Sequence, residues 1–290
     1  MIRIIFTVAV VLLQVVTNLA ALTPLVERET ALMLGLLHGP CLLSAGADGA
    51  VFVLDVGSAQ LYRVDPETGE ELWRTDGSES GQPFVDPVWI SRPDGFFVFV
   101  TDRGLRRVWK VDYRGELRGW IDLPFAADPL LLELAQGSQL ALYDRAASLV
   151  WLLDDSGRPL WSFAPGEGRQ SAEPSALALS PAGDRLYLLW RPAGQVTALS
   201  LFGKRSQLDV ATLPDRETVR FYALAVEGRE FFCCLSAHKL VFYDLLSGQS
   251  QVLDTATGPV LDARAAGDRL YLLAGTDKLT LVKIKLEIGD

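Results

Sequence analysis

Asparagine is almost missing from this 290-residue chain, occurring once, at Asn18, and histidine occurs only at His38 and His238. Two histidines cannot assemble a multi-imidazole zinc or iron centre, so no metal ligand can be nominated. Cysteine is equally sparse: Cys41, Cys233 and Cys234 form no CxxC or CxxCH pair, and an odd set of three builds no disulfide framework. Neighbours on a strand point to opposite faces, so Cys233 and Cys234 read as core residues rather than a redox pair. HExxH, GxSxG, Walker A, EF-hand and dinucleotide glycine patterns are also lacking, which leaves no catalytic residue to name. Positive charge is in deficit, with 27 basic against 36 acidic residues and a net charge of −9. That is the wrong sign for a chain that coats nucleic acid. No cofactor and no nucleic-acid partner is expected.

What is abundant is apolar surface, 49% of the residues, enough for a substantial core. One run of it differs from the rest. "MIRIIFTVAVVLLQVVTNLAALTPL" sets one arginine before an apolar stretch from Ile4 to Val16, the layout of a secretory signal. Extended to Leu22, the stretch is also long enough for an uncleaved anchor. Residues 1–22 are therefore expected to be a signal peptide or N-terminal membrane anchor. Either places the remainder outside the cytoplasm, in the periplasm or secreted, with the membrane reached only through that segment.

The remaining chain repeats itself. "VFVLD" ending at Asp55 returns as "VFVTD" at Asp102, "LALYD" at Asp144, "LYLLW" at Trp190, "FCCLS" at Ser236 and "YLLAG" at Gly275, at intervals of 47, 42, 46, 46 and 39 residues. A second register follows each: "LYRVD", "VWKVD", "VWLLD", "VTALS", "LVFYD" and "LTLVK". A glycine then closes a turn at Gly69, Gly115, Gly157, Gly203 and Gly248, as a tight antiparallel hairpin requires. One further apolar run precedes each unit and another strand follows, so each unit holds four strands. Repeats of this length and content specify an all-β, six-bladed β-propeller of four-stranded antiparallel blades. Residues 23–38 form a lead-in, and residues 39–290 divide into blades over 39–79, 80–123, 124–168, 169–213, 214–256 and 257–290. Ring closure has two routes: "KLEIGD" as the outer strand of the last blade, or a strand or short helix contributed by "LVERETALMLGLL". Trp73, Trp109, Trp120, Trp151 and Trp161 are expected between blades.

"FVDPVWISRPDGFFVFVTDRGLRRVWKVDYRGEL", residues 84–117, resembles an NHL repeat, and "LYRVDPETGEELWRTDG" is similar to quinoprotein-type propeller repeats. The resemblance implies a six-bladed NHL or TolB-like propeller, and such patterns define a blade rather than an activity. Calcium-dependent lactonases that resemble this fold place asparagines beside carboxylates as oxygen ligands, and the lone Asn18 excludes that site in its usual form.

Charge placement supplies the remaining candidates. Loops between the second and third strands bear Arg103, Arg106, Arg145, Arg191, Lys239 and Lys278 on one side of the ring, a candidate partner-binding rim. The opposite rim bears Asp48, Asp94, Asp184, Glu227 and Asp268. Asp86 and Asp128, each before a proline that opens an inner strand, stand at the channel entrance, either as turn caps or as acid-base groups. Together these features predict an exported, non-enzymatic module that binds or scaffolds a protein or envelope partner. The alternative is a propeller enzyme of the lactonase or lyase class with an atypical channel site.

Overall fold

The computed structural model describes residues 22–34, 37–165, 174–190, 193–203, 206–213, 220–236, 239–254, 259–275 and 279–288. The export segment expected over residues 1–22 lies outside them up to residue 21, as do Arg191, His238 and Lys278. The chain folds as the six-bladed propeller its repeats predict, each blade a four-stranded antiparallel sheet. Blade 1 runs through Cys41–Ala45, Val51–Asp55, Gln60–Val64 and Glu71–Thr75. Blade 2 follows with Pro87–Ile90, Phe97–Asp102, Arg107–Asp112 and Leu117–Asp122. Blades 3, 4 and 5 open on the inner strands Pro129–Leu134, Ala176–Leu179 and Arg220–Val226.

Closure takes the N-terminal route. The described residues of 257–290 hold three strands, Val260–Ala266, Arg269–Ala274 and Thr280–Ile288. The fourth is Leu22–Ala31, paired antiparallel with Thr280–Ile288 from Leu22 opposite Ile288 to Ala31 opposite Thr280. Much of the segment expected to be a lead-in is thus the outer strand of blade 6. Lys285 to Ile288 only lengthen the third strand. After Ala31 the chain crosses to blade 1, where Met33 N–H donates to the Gly69 carbonyl at 2.8 Å.

A ring of sheets buries both faces of every blade, and burial falls off with radius. Val51–Asp55 is buried at every position, whereas the outer strand Leu117–Asp122 alternates between partly buried and exposed until Ile121. Among the described residues the core divides into six clusters, one in each gap between consecutive blades. Cys233 faces the gap between blades 5 and 6 and Cys234 the gap between blades 4 and 5, as strand alternation requires. All three cysteines are buried thiols outside any disulfide. Burial, followed by the nearby Asp55 charge, pushes the Cys41 thiol up to about 12, so it is inert at neutral pH. Trp109 is wholly buried between blades 1 and 2, while Trp120 on the outer strand is 44% exposed.

Candidate functional site

The repeated aspartate is structural. Asp102, fully buried, accepts the N–H groups of Val85 at 2.8 Å, Asp86 at 3.1 Å and Leu105 at 3.1 Å. Asp144 does the same for Ala127, Asp128 and Ala146, and Asp55 for His38, Gly57 and Ser58. In blades 1, 2 and 3 one carboxylate therefore ties the loop entering the inner strand to the loop leaving the second strand. It satisfies backbone donors that lie outside the sheet ladder.

On this scaffold the two sets of rim candidates meet each other. Arg103 Nε donates to Asp86 at 2.7 Å, Arg145 Nε donates to Asp128 at 2.7 Å, and Arg103 Nη1 lies 3.7 Å from Asp128. The result is a ladder, Asp86, Arg103, Asp128 and Arg145, in which charges cancel two against two. Of the six candidate cations, Arg106 and Lys239 are the described residues with no ion pair. Beside Arg106 stand two exposed apolar side chains, Val85 at 59% and Leu105 at 37%. Asp86 and Asp128 are thus ion-pair partners of the rim arginines. Both loops are alike because the pairs share one offset, 17 residues.

The channel is plugged. Arg264, on the inner strand of blade 6, reaches across the axis. It donates through Nε to the Leu43 carbonyl at 2.8 Å, through Nη2 to the Ile90 carbonyl at 3.0 Å and through Nη1 to Glu133 at 3.2 Å. Glu133 also accepts Trp89 Nε1–H at 3.2 Å and the Arg92 backbone N–H at 3.1 Å. The guanidinium lies 4.8 Å from the Trp89 ring centre and 5.0 Å from that of Tyr222. Two residues earlier in the same strand, the fully buried Asp262 accepts the Leu43 N–H at 2.7 Å and the Tyr222 hydroxyl, and pairs with Arg220 at 3.0 Å. These contacts link blades 5, 6, 1, 2 and 3 at the axis. The cavity left beside the plug is about 30 Å3, room for water alone. Wider vestibules open at either end, about 200 Å3 on the side of the Arg103 loops and about 370 Å3 on the hairpin side.

Chemically the plug is a set of groups engaged with one another. Burial, then the Asp262 charge, pushes the Tyr222 hydroxyl well up from its ordinary value, so it stays protonated as a donor. Arg264 is held charged: burial acts against its charge, but Glu133, Tyr222 and Asp262 together outweigh that cost. No group of three or more histidines, cysteines or carboxylates is arranged to hold a metal ion among the described residues. None of these channel residues was nominated from the sequence. The signal was nonetheless there: "PLLLEL" and "VLDARA" place Glu133, Asp262 and Arg264 inside inner-strand runs that are otherwise apolar.

With this geometry in hand, comparison with known proteins is informative. The family described as outer membrane protein assembly factor BamB matches residues 24–286. The chain belongs to that family. The match starts within the strand that closes the ring and ends within its partner, so it spans all six blades of this BamB-family propeller. No curated protein sequence matches the chain. Among solved structures it is similar to a streptogramin B lyase, with 15% identity, TM-score 0.60 and coverage of 92% of this chain and 98% of that one. A gluconolactonase from Xanthomonas campestris gives 15% identity, TM-score 0.59 and coverage of 92% and 99%. Virginiamycin B lyase from Staphylococcus aureus gives 10% identity, TM-score 0.57 and coverage of 91% and 99%. At such identities these likenesses establish the shared fold and leave activity to the site itself.

Proposed function

We propose that this BamB-family propeller is an exported, non-enzymatic module that holds a protein partner of the cell envelope through its loop-bearing face. The observation behind this reading is the plug, because the place where a propeller would gather reacting groups is filled by the engaged Arg264–Glu133 pair. The family's description as an outer membrane protein assembly factor supports an envelope partner, as does the apolar segment from Ile4 to Val16 behind a single arginine. The likeness of residues 84–117 to an NHL repeat fits as well, since that pattern builds a blade without bringing an activity.

The contact surface follows from the ion-pair ladder. Arg103 and Arg145 are already matched by Asp86 and Asp128, so reversing them would disturb the loops as well as any interface. Val85, Leu105 and Arg106 form an unmatched part of the rim, apolar surface beside a cation with no ion pair among the described residues, the composition of an interface centre. A photo-reactive residue placed at Leu105 or Arg106 in cells is expected to cross-link one envelope protein in stoichiometric yield, with no such product from Glu227 on the opposite rim. Identical patterns from both rims, or turnover of a lactone by the purified chain that is lost on altering Glu133, would refute the reading.

A further inference from the structure

The vestibule on the loop side has a chemistry of its own. Five successive blades line it, with Leu42, Val88, Leu130, Leu177 and Phe221 as its apolar wall and Arg220 as the one charged group among the described residues. Its volume is about 200 Å3, on the scale of the ~150 Å3 apolar cavity that admits benzene. Its floor is sealed, since Trp89 and Tyr222 also line the small cavity beside Arg264.

Arg220 lines that space as one member of an ion pair. Its side chain is 28% exposed, whereas its partner Asp262, at 3.0 Å, is fully buried behind it. Nη1 is the buried end of the guanidinium, turned to Asp262 without an aligned hydrogen bond, while Asp262 accepts from Leu43 and Tyr222. The other polar groups of the wall are occupied too: Tyr222 donates to Asp262, and the Ser175 hydroxyl donates to the Leu189 carbonyl at 3.1 Å. Among the described residues the vestibule therefore offers an apolar body a wall, an anion the partly exposed Arg220 guanidinium, and a cation no ionic partner. Apolar walls strengthen a charge-assisted hydrogen bond relative to water, and the planar guanidinium suits a carboxylate.

We propose that this vestibule binds a ligand that joins one carboxylate to an apolar group of about phenyl size, with the carboxylate on Arg220. A free aryl or alkyl carboxylic acid and the C-terminal residue of a polypeptide share this chemistry. The site stands independently of the docking rim at Leu105 and Arg106, so either can fail without the other.

The test is calorimetric titration of the full-length chain with 3-phenylpropionate, 3-phenylpropan-1-ol and 3-phenylpropylamine. The acid is expected to bind with a stoichiometry of one and at least about tenfold more tightly than the alcohol, the margin of one charge-assisted hydrogen bond, and the amine not at all. Arg220→Gln should reduce the acid to the affinity of the alcohol. Leu130→Trp, which fills the vestibule without touching the ion pair, should abolish binding of both and keeps the test decisive if Arg220→Gln does not fold. A short peptide ending in phenylalanine then separates the sources. Saturation by its free acid but not its C-terminal amide identifies a chain terminus, and binding of the small acid alone identifies a free metabolite. Equal affinities for acid, alcohol and amine, no binding of any of them, or binding unchanged in Leu130→Trp would overturn the proposal.

Discussion

Blades 1 to 3 and blades 4 to 6 share one topology but secure their loops differently. In the first three, Asp55, Asp102 and Asp144 each collect backbone N–H groups from two loops. In the last three the same position is held by Trp190, Ser236 and Gly275. Blade 6 keeps the backbone bond, Gly275 N–H to the Pro259 carbonyl at 3.0 Å. The hairpin glycines divide the same way. A Cβ at Gly157 would lie 1.9 Å from Ile121 of the preceding blade and one at Gly69 would lie 2.1 Å from the Ala31 carbonyl, whereas one at Gly203 meets nothing within 4 Å. A repeat therefore need not preserve its fastening devices for its sheets to form, because the ladder and the interblade core suffice for those. What the devices add is a fixed loop geometry, and among the described residues they are concentrated in the half whose loops form the Asp86 to Arg145 ladder.

Breaking the axis should cost most, because the plug couples the two halves. Arg264→Ala leaves Glu133 buried without its cation, and removing one partner of such a pair costs about 3–5 kcal/mol. Chemical denaturation should show that loss, and Arg264→Met combined with Glu133→Met should recover most of it. If the single variant is as stable as the parent, the axis is not what couples blade 6 to blades 1, 2 and 3.

Next comes the fastening itself. Asp102→Ala strands three backbone donors, and about 2–3 kcal/mol is expected from unpaired buried groups. Ser236→Ala at the equivalent place in blade 5 should change stability by less than about 0.5 kcal/mol. Equal losses would erase the distinction between the halves. The glycines sharpen it on a smaller scale. Both Gly157 and Gly203 have positive φ, 84° and 67°, so alanine at either carries a left-handed strain of about 1–2 kcal/mol. Only Gly157→Ala adds a collision with Ile121 and must lower the melting temperature further.

Acid should not distinguish the halves. The second register ends in aspartates on both sides of the molecule, and their hairpin bonds are alike. The Ser156 hydroxyl and the Arg158 N–H hold Asp154 well below the usual carboxylate range. For Asp244, burial acts upward but is overcome by the Ser247 hydroxyl, the Leu246 N–H and Arg229. A carboxyl whose folded pKa is lowered stabilises the fold above its unfolded value, near 4, and that contribution is lost as pH falls through the folded value. Stability should therefore drop below about pH 4, and Asp154→Asn and Asp244→Asn should each flatten the acid limb in a denaturation series.

These contrasts also explain what could be read in advance. The blade count was legible because the glycine turn and the strand-end aspartate recur in register even where one of them is lost, as at Trp190. Ring closure was not legible, since "LTPLVERETA" contains a proline, carries charges and is interrupted by a bulge between Val26 and Arg28, so alternation is hidden on an outer strand. Rim cations were legible as residues but not as charges: Arg103 and Asp86 lie 17 residues apart, and only the fold brings them together. The plug was overlooked because single charges in "PLLLEL" and "VLDARA" were outvoted by their apolar neighbours, although an isolated charge in an inner strand is where a buried pair should be sought.

The smallest effect expected separates position from charge on the rim. Arg103 and Asp86 are each 37% exposed, and pairs of that kind contribute about 0.2–1 kcal/mol before salt screening. Arg103→Gln should therefore leave the melting temperature nearly unchanged while Asp102→Ala one residue earlier does not. If partner cross-linking from Leu105 survives Arg103→Gln but fails in Asp102→Ala, the rim works by holding Val85 and Leu105 in place. Failure in both would mean that the ladder's charges are themselves read by the partner, and the loss should then deepen with added salt as the remaining pairs are screened.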